Sequence, residues 1–457
     1  MSTTSVMVDG KAYEAQADSL LIDLLIKEDI KVPYFCYHES LGPVGNCRMC
    51  MVEIEGQKRP QIACDTPITD GMVVYSEGNK LDIKKVRREI LELELINHPI
   101  DCPVCDQAGE CSLQDFYMSY GLHDSHMYGL EKVAKGKKID FGSNVMHDQE
   151  RCVLCERCAR YTDKVTRTHE LGIIGRGDEC RISTMPGMKL DNPYAMNVID
   201  LCPVGAMTSK DFRFTQRSWF LTNSDNICMG CATNCNIYVD HNKPKYKDDT
   251  IYRFRPRRNR DVNGFFMCDE GRLGYKKLQY NRQLGSSTDN EEEMFQTLLS
   301  NIDTNTDDSI AVLIDASLFT EEIEAIMAFA ESLGADVYCP QDCYIDEDFA
   351  DDMLRSKYRA GNIKTIQNLG ISAETPDNVN LLISFNHPDA KMVNAKQKVL
   401  LQTHMGMTGD LVLPIASYVE NSGSVTNIEG ITQHVEQAIF PNEPVPTIAD
   451  WITRLSS

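Results

Sequence analysis

Fifteen of the eighteen cysteines in this 457-residue chain fall into four groups, and that grouping constrains the fold more than any other feature. The groups are Cys36, Cys47, Cys50 and Cys64; Cys102, Cys105 and Cys111, preceded by His98; Cys152, Cys155 and Cys158 with the remote Cys202; and Cys228, Cys231 and Cys235 with the remote Cys268. Cys180, Cys339 and Cys343 stand outside them, so the chain divides into a thiol-rich region and a Cys-poor tail. No basic stretch leads into an apolar one at the N-terminus, and residues 20–26, interrupted by Asp23, fall far short of the roughly 18 apolar residues of a membrane helix. A reducing compartment is therefore expected, where thiols in this number mean metal or redox chemistry rather than disulfides.

In the first group, Cys36-x10-Cys47-x2-Cys50-x13-Cys64, three thiols lie on one loop and the fourth returns from a later segment. That spacing suits a two-iron cluster, and Gly42 and Gly45 are expected to let backbone N–H groups approach the sulfurs. A zinc ribbon, the competing reading, prefers two Cys-x2-Cys pairs, and only one occurs here. In the second group, His98-x3-Cys102-x2-Cys105-x5-Cys111, an imidazole replaces one thiolate. A neutral ligand leaves a cluster less negative and raises its potential; zinc held by three thiolates and one imidazole is the alternative on spacing alone. The third, Cys152-x2-Cys155-x2-Cys158 with a distant Cys202-Pro203, has the bacterial ferredoxin pattern for one cubane. Thr162 occupies the position that would serve a second cluster, and Cys180 reads as a structural thiol. The fourth, Cys228-x2-Cys231-x3-Cys235-x32-Cys268, again offers three near thiols and one distant, with zinc as its alternative.

Acidic residues outnumber basic ones, 68 to 46, for a formal charge of −22, which argues against nucleic-acid binding. The basic run at 252–260 is expected to be a solvated or partner-facing loop, and the acidic run at 346–352 solvated surface rather than a metal site. At roughly 100–200 residues per domain, several domains are expected. A hairpin turning at Asp9-Gly10 opens the chain, and a helix capped by Asp18 or Ser19 runs to about residue 28. A second helix spans 81–97, with Ile83, Val86, Ile90 and Leu93 at helical spacing and Pro99 beyond its end. Residues 121–147 read as irregular and 289–293 as a linker. The tail has an αβ rhythm: strands at 310–314, 380–385, 399–402 and 411–413, and a helix over 320–333 closed by Gly334. No Gly-x-Gly-x-x-Gly, phosphate-loop, Ser-His-Asp or metalloprotease signature is found. Several one-electron sites without a substrate pocket describe a wire, fed by a partner whose flavin-type cofactor splits electron pairs.

The stretches "CYHESLGPVGNCRMCMVEI", "NHPIDCPVCDQAGECSLQD", "RCVLCERCARYT", "ELGIIGRGDE", "NVIDLCPVGAMTSKDFRF" and "ICMGCATNC", in this order, resemble the family of the large iron–sulfur subunit of bacterial NADH–quinone oxidoreductase, respiratory complex I. The resemblance covers residues 1 to about 285. It implies an α+β multidomain chain: a plant-type, β-grasp [2Fe–2S] ferredoxin domain at 1–80; a small helical [4Fe–4S] domain with one histidine and three cysteine ligands at 81–120; a bacterial-ferredoxin-like, single-cluster [4Fe–4S] domain at 121–215; a [4Fe–4S] domain of molybdenum and tungsten oxidoreductases at 216–285; and a truncated α/β molybdopterin-oxidoreductase-like domain at 286–457. "GDLVLPIASYVENSGSVTNIEG" carries the last likeness. The implied cofactors are one [2Fe–2S] cluster on Cys36, Cys47, Cys50 and Cys64, and [4Fe–4S] clusters on the second and third sets and, off the main path, on the fourth. No molybdopterin, FMN or NAD is expected in this chain, nor a substrate site of its own. The implied partners are a flavin- and NADH-binding subunit and the ferredoxin-like and quinone-proximal subunits, with the membrane arm reached indirectly, at the cytoplasmic side of the inner membrane. A related subunit of an NAD-linked hydrogenase or formate dehydrogenase is the nearest rival, and a zinc-stabilised scaffold the rival from another class.

Overall fold

Every second residue of the strand Thr3–Val8 is buried, the period of a strand with one face on a core. Asp9 and Gly10 both take positive φ, 49° and 80°, as a two-residue hairpin turn requires, and the chain doubles back as Lys11–Gln16. The structure is a computed structural model and describes residues 3–121, 131–300, 310–377 and 379–456. It divides into two compact units, Met1–Phe220 and Leu221–Ser457.

In the first unit the hairpin belongs to a five-stranded mixed sheet, in the order Lys11–Gln16, Thr3–Val8, Val73–Tyr75, Met51–Ile54, Gln61–Ile62. The helix Leu21–Lys27 buries Leu21, Ile22, Leu24 and Leu25 against its core. Neither Asp18 nor Ser19 caps this helix, contrary to expectation. Asp18 sits in the left-handed region at φ 63°, and the Ser19 hydroxyl donates back to the Gln16 carbonyl at 2.7 Å, so the helix starts behind Leu20 without a side-chain cap. The helix Ile83–Leu95 is capped by Asp82, which accepts from the Lys85 N–H at 2.9 Å. Its buried residues are Ile83, Arg87 and Leu91, not the Leu93 expected, which is 67% exposed. Arg87 is buried because its guanidinium donates to the carbonyls of Met51 (Nε at 3.0 Å) and Ser76 (Nη2 at 2.7 Å), fixing the helix to the strand that follows Cys50.

Residues 122–130 lie outside the described residues, but the rest of the stretch expected to be irregular contributes Ile139–Asp140 and Val145–His147 to a three-stranded sheet completed by Met207–Ser209. Two short helices, Arg157–Lys164 and Asn197–Leu201, adjoin the loops that carry the third cysteine group.

The second unit opens with an antiparallel sheet, Thr222–Ile227, Asn236–Asn242, Thr250–Pro256. The basic run is therefore largely strand rather than loop. Arg253 and Arg255 both donate from Nε to the buried Asp240, at 2.5 and 2.7 Å, and Arg257 Nη2 donates to Asn236 Oδ1 at 2.6 Å. The tail forms an all-parallel sheet in the order Asp336–Tyr338, Ile310–Ile314, Val379–Phe385, Ala395–Gln402, Leu411–Pro414. Helices Thr320–Ser332, Ile363–Leu369 and Ile448–Leu455 accompany it. The expected linker at 289–293 instead enters the helix Glu291–Ser300, whose first-turn carboxylates, Glu291 to Glu293, suit a helix N-terminus. Acids of the 346–352 run bond locally: Asp351 accepts from the N–H groups of Met353, Leu354 and Arg355. Among the described residues no helix is long and apolar enough to cross a membrane.

Candidate metal centres

All eighteen cysteines are free thiols, and thirteen of the fifteen in the four groups are buried or line a cavity. In the first group, Cys36 and Cys47 come from one loop, Cys50 precedes the strand Met51–Ile54, and Cys64 lies in the short helical turn Ala63–Asp65. The four are 1%, 6%, 1% and 1% exposed. Their sulfurs are within hydrogen-bond reach: Cys36 meets Cys47 and Cys64, and Cys64 meets Cys50. Those bonds hold Cys36 and Cys50 below the usual thiol range and push Cys47 and Cys64 above it. Four buried thiols brought this close together have the donor set of a two-iron cluster, whose metal charge would take the place of their protons. The amides that face the sulfurs are not those expected. Phe35 N–H donates to Cys47 Sγ at 3.4 Å, and Asn46 and Cys47 amides face Cys36, whereas Gly42 N–H closes a turn on the His38 carbonyl at 2.9 Å.

His98 lies just past the helix Ile83–Leu95 and lines a cavity with Cys102, Cys105 and Cys111. Its Nδ1 is buried without a hydrogen-bond partner. An orphaned ring nitrogen in a cavity with three thiols has the chemistry of a metal-ligating imidazole, for which the metal is the missing partner. Burial pushes the ring's pKa down to about 4, so at neutral pH it is in the neutral, ligating form. Cys111 occupies the N-cap position of the helix Ser112–Tyr120, where the helix dipole favours a thiolate against the burial that pushes it up to about 11.

Cys152 and Cys155 lie on a loop that enters the helix Arg157–Lys164, and Cys158 sits in its first turn. Leu154 N–H donates to Cys152 Sγ at 3.4 Å. Cys202 follows the helix Asn197–Leu201, and the amides of Val204, Ala206 and Met207 face its sulfur. Burial pushes all four thiols up, Cys155 to about 12, and Cys152 and Cys158 are pushed further by the charge of Cys155 and Cys202. Thiols crowded together out of water are stable apart from metal only as protonated groups; iron offers the counter-charge. Thr162 is fully buried and serves the backbone, its hydroxyl donating to the Ala159 carbonyl at 3.0 Å and accepting from Leu171 N–H at 3.3 Å. Cys180 belongs to the turn before the strand Arg181–Thr184, away from the group.

The long gap before Cys268 is filled by the strands Asn236–Asn242 and Thr250–Pro256, which carry the chain out and back. Cys228, Cys231, Cys235 and Cys268 then line a cavity of about 310 Å3. Gly271 N–H donates to Cys268 Sγ at 3.3 Å. A Cβ on Gly271 would stand 3.1 Å from Cys228 Sγ and 3.3 Å from Cys268 Sγ, so glycine keeps this cradle open. Arg359, bonded to Glu270, stands close enough to favour the thiolate of Cys228 against its burial. A fifth grouping, Cys343, His387 and Asp389, leaves no signal in sequence spacing and draws its ligand atoms within 4.8 Å. Both His387 nitrogens are engaged, Nδ1 by Asp389 N–H at 3.1 Å and Nε2 by the Pro340 carbonyl at 3.1 Å, so this trio is internally satisfied.

Three of the groups share one core, which includes Phe35, Cys36, Cys47, Leu91, Cys111, Leu113, Val153, Cys155 and Val204. The segment bearing the third group is bonded to both others. Arg157 Nη2 donates to the Tyr37 carbonyl at 2.6 Å, Arg160 to those of Cys36 and Gly42, and Asn46 Nδ2 donates back to the Leu154 carbonyl at 2.8 Å. On the other side Ser112 N–H donates to the Pro203 carbonyl at 3.0 Å, and a Cβ on Gly205 would stand 2.3 Å from Cys105 Sγ.

Five family profiles match. They are the 2Fe-2S iron-sulfur cluster binding domain over residues 2–78, the NADH-ubiquinone oxidoreductase-G iron-sulfur binding region over 87–126, the NADH-quinone oxidoreductase subunit 3 ferredoxin-like domain over 142–208, the molybdopterin oxidoreductase Fe4S4 domain over 222–280, and molybdopterin oxidoreductase over 362–451. Among curated proteins, the chain is 36% identical over 337 residues to the NADH-ubiquinone oxidoreductase 75 kDa subunit of Reclinomonas americana, 72% of this chain and 47% of that one. It is 36% identical over 280 residues to the G subunit of the NADH-quinone oxidoreductase of Streptomyces coelicolor, 61% of this chain and 32% of that one. The chain thus spans about half the length, or less, of the curated relatives it matches. A solved structure, that of an NAD+-reducing [NiFe]-hydrogenase in the H2-reduced state, is similar at 26% identity and a TM-score of 0.42, covering 47% of this chain and 91% of that one.

Proposed function

Because the chain belongs to the family of the large iron–sulfur (75 kDa) subunit of NADH–quinone oxidoreductase, we propose that it relays electrons from a flavin- and NADH-binding partner toward a quinone-proximal iron–sulfur partner. In this reading Cys36, Cys47, Cys50 and Cys64 hold a [2Fe–2S] cluster. His98 with Cys102, Cys105 and Cys111, Cys152 with Cys155, Cys158 and Cys202, and Cys228 with Cys231, Cys235 and Cys268 each hold a [4Fe–4S] cluster. When bound, these clusters supply one-electron sites; the chain's own residues hold them apart from water and close to one another.

The observation that carries the reading is the shared core of the first three groups, with the third bonded to both neighbours. Electron transfer falls off steeply with distance, so a continuous path must pack its sites without intervening solvent. The first group leads to the third and the third to the second, an order that differs from the order along the chain. The orphaned His98 Nδ1 supports an imidazole ligand in the second group, which raises that site's potential. The chain then acts as a subunit of an oxidoreductase complex, docked at the membrane through its partners.

Ultraviolet–visible and low-temperature electron paramagnetic resonance spectra before and after dithionite, with iron, zinc and acid-labile sulfide analysis, test the proposal. A brown protein with sulfide and reduced-state signals from both cluster types is expected, and Cys152→Ser should remove one [4Fe–4S] signal while leaving the [2Fe–2S] signal. A colourless, zinc-loaded protein without sulfide would establish the scaffold reading instead.

A further inference from the structure

Arg151, the residue before Cys152, points its side chain away from its own thiol group and into the loop of the second group. Its side chain is 5% exposed. Nε donates to Asp101 Oδ1 at 2.9 Å and Nη2 to Asp101 Oδ2 at 2.7 Å, the paired geometry that fixes a guanidinium on a carboxylate. Nη2 also reaches the Val104 carbonyl at 3.4 Å. Asp101 and Val104 immediately precede Cys102 and Cys105. A Cβ on Gly205 would stand 2.3 Å from Cys105 Sγ and 3.7 Å from Arg151 Cδ, so the arginine stem, the Cys202 loop and the Cys105 sulfur meet at one point.

Other charges complete the surroundings. Asp148 Oδ2 lies 3.5 Å from Arg151 Nε, and Lys137 Nζ lies 3.2 Å from Asp101, 3.7 Å from Asp148 and 3.0 Å from Glu150. Two cations among three carboxylates leave this network without a positive surplus, while a third cation, Lys132, donates to the carbonyls of Leu95 and Ile96 at 2.9 and 3.0 Å on the His98 side. The network's effect on a cluster therefore depends on which charge lies against the Cys105 loop, and the Arg151 guanidinium is bonded into that loop at Asp101 and Val104.

We propose that Arg151 is a positioning residue that raises the reduction potential of the site formed by His98, Cys102, Cys105 and Cys111, drawing electrons onto it from the neighbouring Cys152 site. This rests on the reading that both groups hold [4Fe–4S] clusters. One electron passes from the reductant to the cluster; no bond forms or breaks and no proton moves. The added negative charge is stabilised by a buried cation that water and salt screen little. Asp101 orients the cation and partly offsets it.

Midpoint potentials from electron paramagnetic resonance titration of the whole chain with its clusters test the proposal in three variants. Arg151→Gln removes the cation and uncovers Asp101, and is expected to lower the reduction equilibrium of the His98 site at least tenfold, about 59 mV for a one-electron couple. Arg151→Lys keeps the charge and should restore most of that loss. Asp101→Asn breaks the same pair from the other side and should raise the potential. A merely structural role moves Arg151→Gln and Asp101→Asn in the same direction, and that result, or unchanged potentials, overturns the proposal. Should Arg151→Gln fail to assemble, the opposite sign expected of Asp101→Asn still decides. Absence of a His98-site signal in the unmutated protein would instead refute the underlying cluster assignment, so the two failures are distinguishable.

Discussion

Arg48, Ile100, Leu154, Glu156 and Asn234 all take positive φ, from 48° to 66°, and every one lies within a loop of one of the four groups, so each group contains at least one. A side chain in this region costs about 1–2 kcal/mol, and a β-branched residue such as Ile100 adopts it rarely. Such strain persists where the surroundings over-determine it. In the third group it curls the loop so that Leu154 N–H faces the Cys152 sulfur. Glycine is used where space rather than φ is limiting. Gly205 has an ordinary φ, yet a Cβ would stand 2.3 Å from Cys105 Sγ. Gly205→Ala is therefore expected to abolish the His98-site [4Fe–4S] signal while leaving the [2Fe–2S] signal at full intensity, read by low-temperature spectra of the reduced protein. Retention of both signals would show that the Cys202 loop can yield. The grouping of the cysteines and of His98 was legible in the sequence because thiols at short, regular spacing stand out from every other residue type. Arg151 and Gly205 were not, because their importance arises from contacts between loops about fifty to a hundred residues apart in the chain.

At the scale of elements, legibility followed burial. The strands Ile310–Ile314, Val379–Phe385 and Leu411–Pro414 are buried on both faces and read as apolar runs, so they stood out. Short or polar elements did not. The strand Asp336–Tyr338 and the hairpin Gly423–Thr426 with Thr432–Val435 have little pattern of their own and depend on their partners. The basic run misled because Arg253 and Arg255 are held by a buried carboxylate, Asp240, thirteen or more residues earlier. The helix Thr320–Ser332 illustrates a cap with a cost. Glu322 Oε2 accepts from Phe319 N–H at 2.9 Å and Oε1 from Asn421 Nδ2 at 2.9 Å, but burial pushes the carboxyl up to about 7. A carboxyl whose pKa rises on folding binds its proton more tightly in the folded chain. Stability linked to it is therefore full below its ordinary value near 4.5 and is lost as pH rises through about 7. Glu322→Gln keeps an acceptor and removes the charge. Its stability relative to the unmutated chain should rise between pH 5 and pH 8 by up to roughly 3 kcal/mol, at about 1.4 kcal/mol for each tenfold change in proton affinity. Denaturant midpoints at the two pH values measure this, and a relative loss at pH 8 would mean that the charged cap outweighs its desolvation.

At the scale of the whole molecule, the chain forms two compact units. The reason is where the cores lie. In the first unit one core joins residues of the first three ligand groups, from Phe35 to Ala206, so these modules are not insulated from one another. In the second, Cys228 and Cys235 share a core with Val419, Ala438 and Ile439, while Ile227 and Met229 pack with Phe319, Val425 and Val435. The fourth cysteine group is thus built into the α/β tail rather than standing before it. A sequence shows ligand spacing within a group, but which groups share a core is decided by side chains far apart along the chain. This division has a direct consequence. If each unit carries its own cores, the polypeptides 1–220 and 221–457 expressed separately should each bind iron. The first should show the [2Fe–2S] signal with two [4Fe–4S] signals, including that of the His98 site. The second should show one [4Fe–4S] signal, which Cys268→Ser removes. Iron and sulfide analysis of the two purified polypeptides, with spectra after dithionite, measures this. The critical result concerns 221–457: Leu354, Tyr418, Val419, Ala438 and Ile439 of the α/β tail pack in the core that holds Cys228 and Cys235, so a shorter polypeptide ending near residue 285 should lose the cluster that 221–457 retains. Equal iron in both would show that the fourth site needs nothing from the tail.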